Sequence, residues 1–180
     1  VGLTNFDVLA YRWGIAGIVL MIYAMVKKKS LMPASFDETW KMLLLSSLRA
    51  ITSITLLIGY ANISSGIAST INFMYPVIVA LTMIFIFGEH KSWVDIGAIA
   101  VAIFGVYLLA SGDSLIVEGG NTKLGLTCSI ISAFSFAAYY ILMKKLRADK
   151  IEVVKFNTWI TMLISIYFIA CALIFEGSLS

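Results

Sequence analysis

The stretch Ser65–Phe87 reads SGIASTINFMYPVIVALTMIFIF and contains no charged residue. A helix of this length, at about 1.5 Å per residue, crosses the ~30 Å hydrocarbon core of a bilayer. Five further apolar runs surround it: Phe6–Val26, Met42–Ala61, Trp93–Ala110, Leu124–Met143 and Phe156–Phe175. Each is bounded by charges, Gly, Pro or Asn. Hydrocarbon admits only backbones that satisfy their own hydrogen bonds, so all six are expected as transmembrane helices. Alternating segments of about ten residues, the mark of a membrane β-barrel, are not seen. The fold class is all-α integral membrane. With 61% hydrophobic and 13% charged residues, the 180-residue chain departs from the composition of a water-soluble enzyme or a disordered segment.

The basic residues give the orientation. Lys27, Lys28, Lys29, Lys41, Lys91, Lys144, Lys145, Arg147, Lys150 and Lys155 all fall on one side of a six-span chain, and only Lys123 falls on the other. By the positive-inside rule the loops 27–41, 88–92 and 144–155 are cytoplasmic, and both ends of the chain lie outside. Trp40 and Trp93 sit at run ends, where interfacial indoles are favoured. Basic residues follow the first run instead of preceding it, the reverse of a cleavable signal peptide. Cys128 and Cys171 lie inside apolar runs, so neither a disulfide framework nor a zinc site is indicated. The outer loop Ser111–Lys123, with its Gly119-Gly120-Asn121 turn, is the natural boundary between four helices and two.

The segment Ala61–Ala110, ANISSGIASTINFMYPVIVALTMIFIFGEHKSWVDIGAIAVAIFGVYLLA, resembles the EamA-type signature of the drug/metabolite transporter superfamily. It combines a small-residue turn into a helix, a mid-helix Pro, a Gly-Glu at the helix end and a Gly-rich helix. Leu9–Met21, LAYRWGIAGIVLM, is similar to that family's second helix with its Arg, and Gly125–Arg147 resembles the opening of a second repeat. The resemblance implies a ten-helix carrier of two inverted five-helix repeats with a substrate cavity between them. Residues 1–110 would be four helices of the first repeat, 111–123 the outer loop, and 124–180 the first two helices of the second. One helix before Val1 and three after Ser180 are then expected.

Within the decisive span, Ser65, Ser69, Asn72 and Pro76 recur on one helical face, with Tyr75 adjacent. Pro76 has no amide to offer the Asn72 carbonyl, so this face should meet either a wet cavity or a polar neighbour. Arg12 and Arg49 each lie about seven residues inside a span, roughly 10 Å at about 1.5 Å per residue. Intramembrane charges face the protein interior or a wet cavity. Arg49 is expected to pair with Glu89 or Asp95. Arg12 could attract a substrate carboxylate, or reach Asp7 or a helix-end carbonyl. Cys128, Ser132, Ser135 and Tyr139 share a face of the fifth span. Small residues there serve helix packing first, but the resemblance places part of the cavity on this helix and keeps Ser135 and Tyr139 as candidates. Ala98, Ala102 and Gly105 read as packing residues, and Thr158, Thr161 and Ser165 form a weaker stripe. His90 reads as a solvated loop residue.

The candidate substrate-binding residues are Arg12, Ser69, Asn72, Tyr75, Pro76, Ser135 and Tyr139. No catalytic set, metal-ligand spacing or cofactor motif is present. The expected function is a multi-pass plasma-membrane carrier that moves a small polar organic metabolite, amino acid-like or similar, by alternating access. The alternative is a membrane-embedded enzyme or enzyme subunit acting on a lipid-linked substrate. The expected partners are the metabolite and membrane lipid, not nucleic acid. A homodimer is left open.

Overall fold

The computed structural model describes residues 5–88 and 119–175, with positions 97, 100, 101, 104, 105, 107 and 108 between them. The described elements are the helices α1 (Asn5–Val26), α2 (Phe36–Asn62), α3 (Ser65–Asn72), α4 (Tyr75–Phe85), α5 (Thr122–Lys145) and α6 (Val153–Phe175), and a 3₁₀ turn at Ala148–Lys150. Asp7–Val26, Phe36–Asn62, Ser65–Phe85, Thr122–Lys145 and Val153–Leu173 are long and apolar enough to cross a membrane. These account for five of the six expected spans. The sixth, Trp93–Ala110, lies largely outside the described residues, as do the expectations placed on Glu89, His90, Asp95, Ala98, Ala102 and the loop 111–118.

Local chemistry sets the helix ends. Helix α1 closes with Lys28 N–H donating to the Met25 carbonyl (3.1 Å) and Lys29 N–H to the Ala24 carbonyl (2.9 Å). Lys28 is left-handed at φ 51°, so this is a Schellman closure with lysine where glycine is usual. At the start of α2, Ser35 Oγ accepts from Glu38 N–H at 3.3 Å, and the Glu38 carboxylate accepts from Ala34 N–H at 2.8 Å. The pair is a variant of the Ser-x-x-Glu capping box. Asn121 caps α5 by accepting from Leu124 N–H at 3.2 Å, while its own N–H donates to Asn62 Oδ1 at 3.0 Å. Gly120 is required beside it, because a Cβ there would collide with the Asn62 carbonyl.

The proline-bearing span departs from expectation. In place of one kinked helix there are two, α3 and α4, separated at Phe73–Met74. Met74 N–H reaches back three residues to the Ile71 carbonyl at 3.1 Å, and the four-residue pattern resumes with Ile78 N–H to Met74 (3.2 Å). Pro76 sits in the first turn of α4, where a missing amide costs least. The proline thus starts a helix instead of bending one.

The chain divides into two compact units, residues 1–50 with 142–180, and residues 51–141. In the first, α1 packs on α6, and Ser165 Oγ donates to the Ala10 carbonyl at 3.1 Å. In the second, Ile63, Ile67 and Ala68 form a core covered by Leu56, Tyr60, Ile71 and Leu126. In both units hydroxyls are buried (Ser46, Thr70, Ser129, Thr161), while Ile15, Val19, Phe134 and Leu173 are exposed. This reverses the order favoured in water and suits a hydrocarbon solvent.

Candidate functional site

The break between α3 and α4 organises the candidate site in the second unit. Asn72, the last residue of α3, is 6% exposed, and its Oδ1 accepts from Ser132 Oγ of α5 at 2.8 Å. Ser132 is fully buried and also lies 3.2 Å from the carbonyl oxygen of Thr52 in α2. Ser69, one turn before Asn72, shares a hydrogen bond of 3.0 Å with the Tyr60 hydroxyl. The stripe predicted on α3 therefore meets polar neighbours at both of these positions.

Tyr75 opens α4 and enters an aromatic cluster built by α5. Its ring lies 4.3 Å from that of Phe136, tilted by 44°, and stacks on Tyr140 at 5.2 Å and 8°. Tyr139 meets Tyr140 edge-on at 5.3 Å and Phe136 at 6.1 Å. Offset and edge-to-face arrangements of this kind are the favoured geometries for ring quadrupoles. Tyr139 is buried, Ser135 half-buried and Pro76 exposed.

Of the predicted residues, Asn72, Tyr75 and Tyr139 thus enter buried or ring contacts next to the break. Phe136, Tyr140, Ser132, Thr52 and Tyr60 join them without having been singled out as site residues. The doublet Tyr139-Tyr140 was the available signal. Both tyrosines meet Phe136 one turn back on their own helix, whereas the stacking of Tyr140 on Tyr75 of α4 is a tertiary fact. Among the described residues of this unit the only charged side chain is Lys123, at the helix start.

Arg12 belongs to the other unit and is exposed, whereas Asp7 is fully buried in the first turn of α1. The Arg49 guanidinium lies 5.6 Å over the Trp13 ring, a cation–π contact absent from the expected pairings. Glu89 and Asp95, the partners expected for Arg49, lie outside the described residues. Thr158 and Thr161 are buried and donate within α6, to the carbonyls of Val154 (2.7 Å) and Asn157 (2.8 Å). Beside Ser165 an open apolar groove of about 320 Å³ is lined by Ala10, Tyr11, Gly14, Ile18, Met162 and Ile166 among others. Outside the spans, Lys29 pairs with Glu152 at 2.7 Å. That hydrogen bond and the carboxylate's charge hold the Lys29 ammonium above its ordinary pKa.

The family model of the EamA-like transporter family matches residues 2–111, more than half of the chain. The chain belongs to the EamA-like transporter family. Its several membrane-length helices accord with a multi-pass membrane protein of the drug/metabolite transporter type. No curated protein and no solved structure matches the chain. Within this EamA-like chain the match contains α1 to α4, and with them Asn72, Tyr75 and Arg12.

Proposed function

We propose that this protein carries a small polar organic metabolite, amino acid-like or similar, across the plasma membrane by alternating access. The observation that carries the reading is the interruption of a membrane-length segment at Phe73–Met74, next to Tyr75 and its aromatic neighbours. Discontinuous helices of this kind build the substrate sites of many secondary transporters, because irregular backbone at membrane depth is tolerated where it lines a cavity or is buried in protein. Ser69, Asn72, Tyr75, Pro76, Ser135 and Tyr139 are proposed as the lining of the substrate path. Arg12 is proposed as the group that favours a carboxylate. Membership in a family of transporters speaks for this reading over an enzyme acting on lipid-linked substrates.

The test is uptake into proteoliposomes holding the full-length protein, with radiolabelled phenylalanine, leucine, glutamate and putrescine as probes. At least one should show saturable uptake. For that probe Tyr75→Ala should raise KM roughly tenfold, about 1.4 kcal/mol of lost ring contact, and Tyr75→Phe should stay within about twofold. Absence of saturable uptake for all four would overturn the substrate class. An unchanged KM in Tyr75→Ala at normal yield would remove the site.

A further inference from the structure

We propose that Ser132 is a positioning residue that holds the break between α3 and α4 in place, and through it the placement of Tyr75. Other hydroxyls of this unit back-bond within their own helices: Thr55 to Ile51, Thr82 to Ile78, Thr127 to Lys123 and Ser129 to Gly125, all at 2.7–2.8 Å. Ser132 leaves its helix. From α5 it reaches Asn72 Oδ1 at the end of α3 (2.8 Å) and the Thr52 carbonyl of α2 (3.2 Å). One hydroxyl proton serves one acceptor at a time. With the Asn72 carboxamide turned over, its Nδ2–H donates to Ser132 Oγ and the hydroxyl donates onward to Thr52, which satisfies the whole chain. In either arrangement Ser132 is the shared member, and it is fully buried.

Its position explains why this bond controls the break. Asn72 is the last residue of α3, its carbonyl has no amide to receive at Pro76, and Tyr75 begins α4 three residues later. The chain at Phe73–Met74 has therefore lost a helical tie, and the Asn72 side chain replaces it with a tie to α5. Tyr75 then lands on Phe136 and Tyr140, one and two turns beyond Ser132 on the same helix. The assignment draws on the proposed function only for its consequence, the placing of a substrate-lining ring, and its evidence is independent of any substrate.

Hydrogen–deuterium exchange of the full-length protein in lipid nanodiscs tests it. Ser132→Ala should speed exchange of the amides of residues 73–78 by about 3- to 18-fold, the range covered by hydrogen bonds between helices in membranes. Peptides of α1 and α6 should not change, and Ser132→Thr should restore the native rate. Adding Ser132→Ala to Asn72→Ala should cause no further change, because the two side chains form one tie. If Ser132→Ala fails to accumulate, Ser132→Cys, a weaker donor of similar size, takes its place. Unchanged local exchange, an equal rise throughout the molecule, or additive effects of the two substitutions would each overturn the proposal. The Tyr75 transport measurements are separate: normal transport there with locally faster exchange here would keep the tie and discard the substrate site.

Discussion

Lys28 and Arg147 both adopt left-handed backbone, at φ 51° and 53°, directly after α1 and α5. A side chain in that region costs about 1–2 kcal/mol relative to right-handed backbone, and glycine avoids this. At a helix C-terminus each also places a cation against the last carbonyls, which returns part of the cost. Lys28→Gly should therefore raise the unfolding midpoint of the detergent-solubilised protein by the equivalent of about 1 kcal/mol. Lys27→Gly removes the same charge without that relief and should lower it. A shift of equal size and sign in both would show that charge, not backbone, sets the end of α1. At this scale the sequence was informative where chemistry is local. Asn72 and Tyr75 stood out as a polar and an aromatic residue beside a proline, and Tyr139 on the small-residue face of the fifth span; all three lie next to the break. Thr52 and Tyr140 did not, and Ser132 read only as a packing residue, since what distinguishes them is a partner on another helix.

Among the elements, the capping carboxylate of Glu38 makes two connections from one position. It accepts from Ala34 N–H at 2.8 Å and from Lys155 Nζ of α6 at 3.0 Å. The Lys155–Glu38 pair is far less exposed than the Lys29–Glu152 pair, at 12% and 22% against 49% and 37%. A more sheltered ion pair with a second hydrogen bond is worth more than a solvated one. Glu38→Gln should accordingly cost about 1.5–3 kcal/mol, and Glu152→Gln clearly less, as read from thermal unfolding in detergent. Comparable losses would mean that the burial difference carries no energetic weight. Because the folded state raises the Lys29 pKa, its contribution is complete below the ordinary lysine pKa and fades only as pH rises above it. The five spans among the described residues were legible from apolar runs and their charged borders, although α2 begins six residues before its apolar run. The division of the third span was not, because a proline fits either the interior of a kinked helix or the first turn of a new one. Packing of α3 against α5 decides between them.

For the whole molecule, burial and charge carry two separate patterns. Across each unit, small hydroxyls such as Ser129, Ser132 and Thr161 face inward and large aliphatic side chains outward. In the first unit, basic residues collect in the two connections that the Lys29–Glu152 and Lys155–Glu38 pairs bring together: Lys27, Lys28, Lys29 and Lys41 between or beside α1 and α2, and Lys144, Lys145, Arg147, Lys150 and Lys155 between or beside α5 and α6. The first pattern fixes only that the protein lives in lipid, whereas the second predicts how it is oriented. Single cysteines placed at Ser30, Lys123 and Asp149, all exposed positions, make the orientation measurable. In a background with Cys128→Ser and Cys171→Ala, intact cells treated with a membrane-impermeant maleimide should label only the Lys123 variant. Cells opened with detergent should label all three. Because the reagent reaches only the outer face of the cell membrane, the same experiment tests residence in the plasma membrane. Labelling of Ser30 or Asp149 in intact cells would invert the topology, and labelling of all three would mean that an odd number of spans separates no pair of them. Absence of labelling at Lys123 until the cells are opened would place the protein in an internal membrane or reverse its orientation. Labelling of Ser30 in the same intact cells separates those two cases, since only reversal brings the lysine-rich end to the surface.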